Sequence, residues 1–229
     1  MQRTNGLIIA IDGPSGAGKS TTARMLAEKL GYVYIDTGAM YRALGWKARE
    51  EHVDPEQEEA LTALCARTEV KIGHRNGVPS FSVDGRDVTN EIRTPEMGMM
   101  ASAISKSPAV RSRLLVLQRE LGRNGGVVMD GRDIGTVVFP DAEVKIYLTA
   151  NAEERGRRRY LELKAKGMDV DLSRITNEIR ERDLQDSGRT IAPLKPAPDA
   201  VTIDSSGLDI NGVLEKMIAI IQETGKHAV

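Results

Sequence analysis

Gly13, Pro14, Ser15, Gly16, Ala17, Gly18, Lys19 and Ser20 fit the pattern G-x-x-x-x-G-K-[ST], a spacing whose chemistry is the capture of phosphate oxygens. Glycines let the backbone curl into a nest of N–H groups, and the helix that follows adds partial positive charge from its N-terminus. Lys19 would reach the β- and γ-phosphates and Ser20 would hold Mg²⁺, with Thr21 completing the donor-binding set. A glycine-rich turn that merely ends in Lys-Ser is the alternative. It leaves unexplained why the apolar run Leu7 to Ile11 precedes the loop and an amphipathic stretch follows it, the strand–loop–helix context the motif needs. Nucleoside triphosphate binding follows.

Other groups could serve a transfer reaction. Val127-Val128-Met129 runs into Asp130-Gly131-Arg132-Asp133-Ile134-Gly135, and a carboxylate where a core strand meets a phosphate loop is placed to organise Mg²⁺. Asp130 is the candidate, a turn-capping role being the alternative. Arg132 and Asp133 suit polar recognition of a small ligand, or a salt bridge. After the second apolar run comes Asp36-Thr37-Gly38-Ala39-Met40-Tyr41-Arg42, which would aim Thr37 and Arg42 at the phosphate loop's crevice. Arginine's planar fork grips phosphate oxygens in pairs.

Arg155, Arg158 and Arg159 share one helix face beside Arg157, interleaved with Glu153, Glu154 and Glu162. Such a run is either a solvated, salt-bridged face or a source of charge that closes over a triphosphate. Arg182, Asp186 and Arg189 recur about one helical turn apart and would line an acceptor pocket. Several arginines with no Ser-His or Cys-His pair indicate an acceptor that is already anionic. Its oxygen needs no strong base, so positioning, Mg²⁺ and arginine charge would carry an in-line displacement.

The elements that must position these groups come from 229 residues, 40% of them hydrophobic, enough for one α/β domain with insertions. A formal net charge of −1 argues against binding nucleic acid through bulk positive field. The single cysteine, Cys65, lies in an apolar pattern with Leu61 and Leu64 and excludes an internal disulfide. His52, His74 and His227 are scattered, against a histidine metal site. No apolar run is long enough to cross a membrane, and Met1 to Gly6 does not begin an export signal, so a cytoplasmic protein is expected.

Leu7–Ile11, Tyr32–Ile35, Val127–Met129, Val144–Leu148 and Ala200–Ile203 read as buried parallel strands. Thr37 to Ser107 is too long for a simple crossover. Within it, Val70–Ile72, Val78–Val83 and Asp87–Val88 are split by Asn76-Gly77 and Asp84-Gly85, which predicts a small antiparallel sheet, with a helix over Pro55–Ala66. Ala152–Lys166 and Leu172–Leu184 predict two helices broken at Gly167, a mobile cover, and Asn211–Glu223 a packing helix.

The phosphate loop with Ile11-Asp12 before it, the segment Asp36–Arg42, the segment Asp130–Pro140, and Arg182-Asp183 through Arg189 to Ala192-Pro193-Leu194 together resemble bacterial cytidylate kinases, nucleoside monophosphate kinases of the P-loop group. The resemblance covers nearly the whole chain. It implies a core (1–36, 108–151, 187–229), an acceptor-binding domain (37–107) with its β-insert near 69–90, and a short lid (152–186). It implies transfer of the γ-phosphoryl group of ATP to CMP and dCMP with Mg²⁺. By similarity, Ser102, Arg111 and Asp133 contact cytosine; Arg42, Arg132 and Arg189 the acceptor phosphate; and Asp186 with Arg182 the sugar. Thr37 stands where some members carry serine, and both bring a hydroxyl. Lys19, Arg132 and Arg189 would act on the transferring group with one lid arginine. Arg158 is the candidate, in a helix where several arginines crowd.

The rival enzyme readings are kinases of UMP or shikimate. A nucleotide-driven switch with a protein partner is a further rival, against which no N-K-x-D segment occurs. A monomer acting only on small molecules is expected.

Overall fold

The structure is a computed structural model describing residues 4–75 and 78–224, apart from the side chains at 74, 75 and 78. Met1 to Arg3, the turn pair Asn76-Gly77 and His227 lie outside the described residues. In chain order the elements are β1 (Ile8–Asp12), α1 (Lys19–Leu30), β2 (Val33–Asp36), α2 (Thr37–Glu50), α3 (Glu58–Arg67), β3 (Val70–Arg75), β4 (Val78–Val83), β5 (Arg86–Asp87), α4 (Pro95–Ile104), α5 (Pro108–Gly122), β6 (Val127–Gly131), β7 (Val144–Thr149), α6 (Ala152–Ala165), α7 (Leu172–Ser187), β8 (Val201–Asp204) and α8 (Ile210–Glu223). A short 3₁₀ turn, Glu91–Arg93, precedes α4, and a π-helical turn, Ile134–Val138, follows β6.

The chain divides into two compact units, Met1–Tyr34 with Asn124–Val229, and Ile35–Arg123. The first holds a five-stranded parallel sheet in the order β2-β6-β1-β7-β8, flanked by helices. β1 is central and buried along its length, which is why it reads as an unbroken apolar run. Ile9, Ile11, Leu26, Val128, Ile146, Leu148 and Met217 join it to α1, β6, β7 and α8 in one core, each such side chain stabilising by about 1.5–3 kcal/mol when fully buried. The expectation of five buried strands needs correcting at the edges. Val33 and Val201 are each 46% exposed because an edge strand has a neighbour on one side only.

α6 and α7 pack on each other through Leu163, Ile175 and Ile179. Gly156 lets them approach, since a Cβ there would lie 2.3 Å from Thr176 Oγ1. Asp171 caps α7 by accepting from the Arg174 N–H, and the helix runs to Ser187, three residues past the expected Leu184. Among the described residues no helix is long and apolar enough to cross a membrane.

The second unit carries the antiparallel sheet β3-β4-β5 over a core that includes Leu61, Leu64, Phe81 and Val83. Cys65 is buried, which pushes its thiol pKa up. The unit also takes in α5, which the family resemblance assigns to the core from 108. The reason is packing on α3: the Ala109 N–H donates to Glu58 Oε1 at 3.1 Å, and Arg113 Nη2 to the Thr68 carbonyl at 3.4 Å.

Candidate active site

Gly13, Gly16 and Gly18 adopt φ of 147°, 78° and 96°, a region side chains disfavour. At Gly13 space decides too, because a Cβ would meet the Leu148 carbonyl oxygen at 1.9 Å. The loop therefore follows a path that only these glycines allow, and it delivers Lys19 and Ser20 to the start of α1. Lys19 is buried and donates to the Pro14 carbonyl at 2.7 Å. Burial holds its pKa well below the usual lysine range, Arg132 and Arg182 add like-charge repulsion, and Asp130 and Asp12 oppose the shift. A phosphate at the loop would supply the missing counter-charge.

Ser20 Oγ donates to Asp130 Oδ2 at 2.9 Å, and the Tyr34 hydroxyl donates to Asp130 Oδ1 at 2.8 Å. Asp130 is buried near the end of β6, its carboxylate met from α1 and β2. A hydroxyl beside a carboxylate is a hard oxygen pair. Mg²⁺ is commonly held by one or two carboxylates together with substrate phosphates, so these residues fit that ion.

Asp186, near the end of α7, is almost wholly buried. Arg132 Nε donates to its Oδ2 at 2.8 Å, and Arg189 Nη2 donates to its Oδ1. Burial pushes the Asp186 carboxyl up, but Arg132, Arg189 and Arg182 outweigh it and hold the pKa below the ordinary value. Three arginines gather around one buried carboxylate, a cationic setting for an anionic ligand. Arg132 is thus paired with Asp186 of α7.

The arginines of α6 divide by direction. Arg155, buried, donates through Nε to the Ala150 carbonyl at 2.8 Å, through Nη1 to the Ser15 carbonyl of the phosphate loop at 3.1 Å, and through both Nη atoms to Asp183 of α7. Arg158 donates from Nε to Glu154, and from Nη1 and Nη2 to Ser205 Oγ and its carbonyl. Ser205 Oγ in turn donates to the Ala17 carbonyl at 3.1 Å. Arg157 and Arg159 pair with Glu154 and Glu162 in solvent. The shared face expected of Arg155, Arg158 and Arg159 thus splits: two reach the phosphate loop and its neighbouring strand end, and the third faces water.

In the second unit, Asp36 caps α2 by accepting from the Ala39 N–H at 2.8 Å and accepts from Arg42 Nη2 at 3.0 Å. Arg42 Nε is buried without a hydrogen-bond partner, as is Ser102 Oγ on α4. Thr37 is buried at the start of α2. Arg111 on α5 donates to the Ser105 carbonyl at 3.3 Å, with its guanidinium 6.0 Å from the Tyr41 ring centroid.

The cytidylate kinase family model matches residues 9–223 of this chain. The chain belongs to that family. A cytidylate kinase of Geobacter sulfurreducens is 54% identical over 218 residues, 95% of this chain and 94% of that protein. One of Syntrophotalea carbinolica is also 54% identical, over 217 residues covering 95% and 92%. A solved shikimate kinase of Acinetobacter baumannii aligns over 96% of this chain and 95% of its own at 17% identity and a TM-score of 0.48, a likeness too loose to argue from.

In this cytidylate kinase family member, residues outside the expected site set support it. Asp12 accepts the N–H groups of Ile134 and Gly135, each at 2.8 Å. A carboxylate ending an otherwise apolar buried strand was the signal for it. Tyr34 gave a weaker signal, Asp183 stood in a motif of the resemblance without its Arg155 partner being announced, and Ser205 gave none, since such roles depend on distant partners.

Proposed function

We propose that this chain transfers the γ-phosphoryl group of ATP to CMP and dCMP, giving ADP and the corresponding diphosphate. Family membership supports the kinase chemistry and ATP as donor. The observation that carries the reading is electrostatic: the arginines gathered around the buried Asp186 include two, Arg132 and Arg182, whose charge is felt by Lys19. An anionic acceptor gathered there relieves both groups.

In this reading the backbone from Gly13 to Thr21 cradles the donor phosphates, and Lys19 lies along the β- and γ-groups. Ser20 and Asp130 hold Mg²⁺, which supplies charge neutralisation on the donor phosphates when bound. Arg42, Arg132 and Arg189 grip the acceptor phosphate. Asp186 and Arg182 read the sugar, and Thr37 adds a hydroxyl. Ser102, Arg111 and Asp133 read the base: cytosine's amino group donates to a carboxylate, where uracil would present an acceptor. The unpartnered Ser102 Oγ and Arg42 Nε gain a role, since buried polar atoms are rarely left unsatisfied. A phosphate oxygen of the acceptor attacks the γ-phosphorus in line, the bond to the β-bridging oxygen breaks, and ADP leaves. No base is needed. Arg158, held by Glu154 and Ser205, would have to exchange those bonds to reach the transferring group.

A coupled steady-state assay with CMP, dCMP and UMP at matched concentrations tests the proposal. CMP and dCMP should turn over well ahead of UMP. Equal or better turnover of UMP would overturn the cytosine assignment.

A further inference from the structure

The π-helical turn Ile134–Val138 begins directly after Arg132 and Asp133. Its internal bonds run from the Val137 and Val138 N–H groups to the Asp133 carbonyl and from the Phe139 N–H to the Ile134 carbonyl. The first two N–H groups, of Ile134 and Gly135, have no acceptor within the turn. Such groups are ordinarily served by the side chain of the preceding residue. Here that residue is Asp133, and its side chain does not cap the turn. Asp12, at the end of β1 and next to the phosphate loop, does so from across the fold, with one carboxylate oxygen on each N–H at 2.8 Å.

We infer that Asp12 is a positioning residue for the base-reading segment: by capping the turn in place of Asp133, it fixes the backbone that carries Arg132 and Asp133. Charge–charge repulsion between Asp12 and Asp133 works in the same direction, because it discourages the Asp133 carboxylate from folding back onto its own turn. The inference rests on the reading that Asp133 contacts the base. It adds a tie between the two motifs, since one buried carboxylate abuts Gly13 on one side and sets the acceptor segment on the other.

Asp12→Asn keeps the shape and one acceptor oxygen, but sets an amide NH₂ donor against the second N–H. In steady-state kinetics on the full chain, the KM for CMP should rise about tenfold, the preference for CMP over UMP should fall, and the KM for ATP should stay within about twofold. Equal rises in both KM values, or an unchanged KM for CMP, would overturn the inference. Asp133→Ala, measured alongside, separates the two layers. If it leaves the KM for CMP unchanged, the base-reading role falls and the inference with it; if it raises that KM while Asp12→Asn does not, only the inference falls. A measurement on the unaltered enzyme covers the case of a variant that does not fold. By reciprocity of coupled sites, CMP should slow amide hydrogen exchange at Ile134 and Gly135 more than ATP does, and the opposite order would overturn the inference.

Discussion

Two arginine-rich regions of the first unit handle charge in opposite ways. Along α6 and α7, cations meet carboxylates nearly one for one: Arg155 with Asp183, Arg157 and Arg158 with Glu154, Arg159 with Glu162, Arg174 with Glu178 and Arg180 with Glu153. At the end of α7 and after β6, Arg132, Arg182 and Arg189 share Asp186, and the buried Lys19 feels two of them. The contrast teaches that arginine density alone does not mark a phosphate site. What marks it is several arginines converging on one buried carboxylate, with their charge felt by the phosphate-loop lysine.

The strongest way to break that comparison is Asp186→Ala, which removes the shared carboxylate. Leaving the half-buried arginines without this buried carboxylate should cost about 3 kcal/mol of unfolding free energy. Inorganic phosphate should recover part of the loss in urea titrations by binding the folded state. A variant as stable as the parent, with or without phosphate, would show that the arginines do not depend on Asp186.

A smaller effect concerns Asp12, whose carboxyl burial pushes up to about 6 from 3.8 against the pull of its two N–H donors. The folded state therefore binds this proton more tightly than the unfolded chain does, so the group's contribution favours folding as pH falls through 6 towards 3.8. Between pH 7 and 5 the unaltered protein should gain on the order of 1 kcal/mol relative to Asp12→Asn. A difference that does not change with pH, in denaturant titrations at the two values, would contradict the assignment. Asp186 has the opposite sign, since its depressed pKa makes its contribution fade only below the ordinary aspartate range.

The smallest effect sharpens the comparison from its paired side. Arg159→Ala removes a solvent-facing partner of Glu162 and should change stability by less than about 0.5 kcal/mol, with kcat/KM for CMP unchanged. A large loss of kcat/KM would move Arg159 from the scaffold to the site.

The phosphate loop was legible in the sequence because its chemistry is local. Glycine spacing, the lysine and the flanking strand and helix all lie within Leu7 to Leu30, and the central strands declared themselves by apolar runs. The small sheet was legible for the same reason, through Asp84-Gly85 between alternating stretches. What stayed hidden depends on distance along the chain. Nothing near residue 12 announces that its carboxylate serves residues 134 and 135, and nothing near Ser205 announces that it joins Arg158 to Ala17. The direction of each arginine on α6 was equally hidden, because helical spacing gives a face but not the partner waiting there. The placement of α5 in the second unit turned on its packing against α3, a contact that no local pattern encodes.

Gly13 combines a backbone angle reserved for residues without side chains with a carbonyl pressed against the spot where any side chain would begin. The entrance to the phosphate loop therefore has no adjustable setting. Variation in donor affinity has to come from the loop's surroundings, such as Ser205 and Arg155, where geometry can shift by degrees without closing the nest.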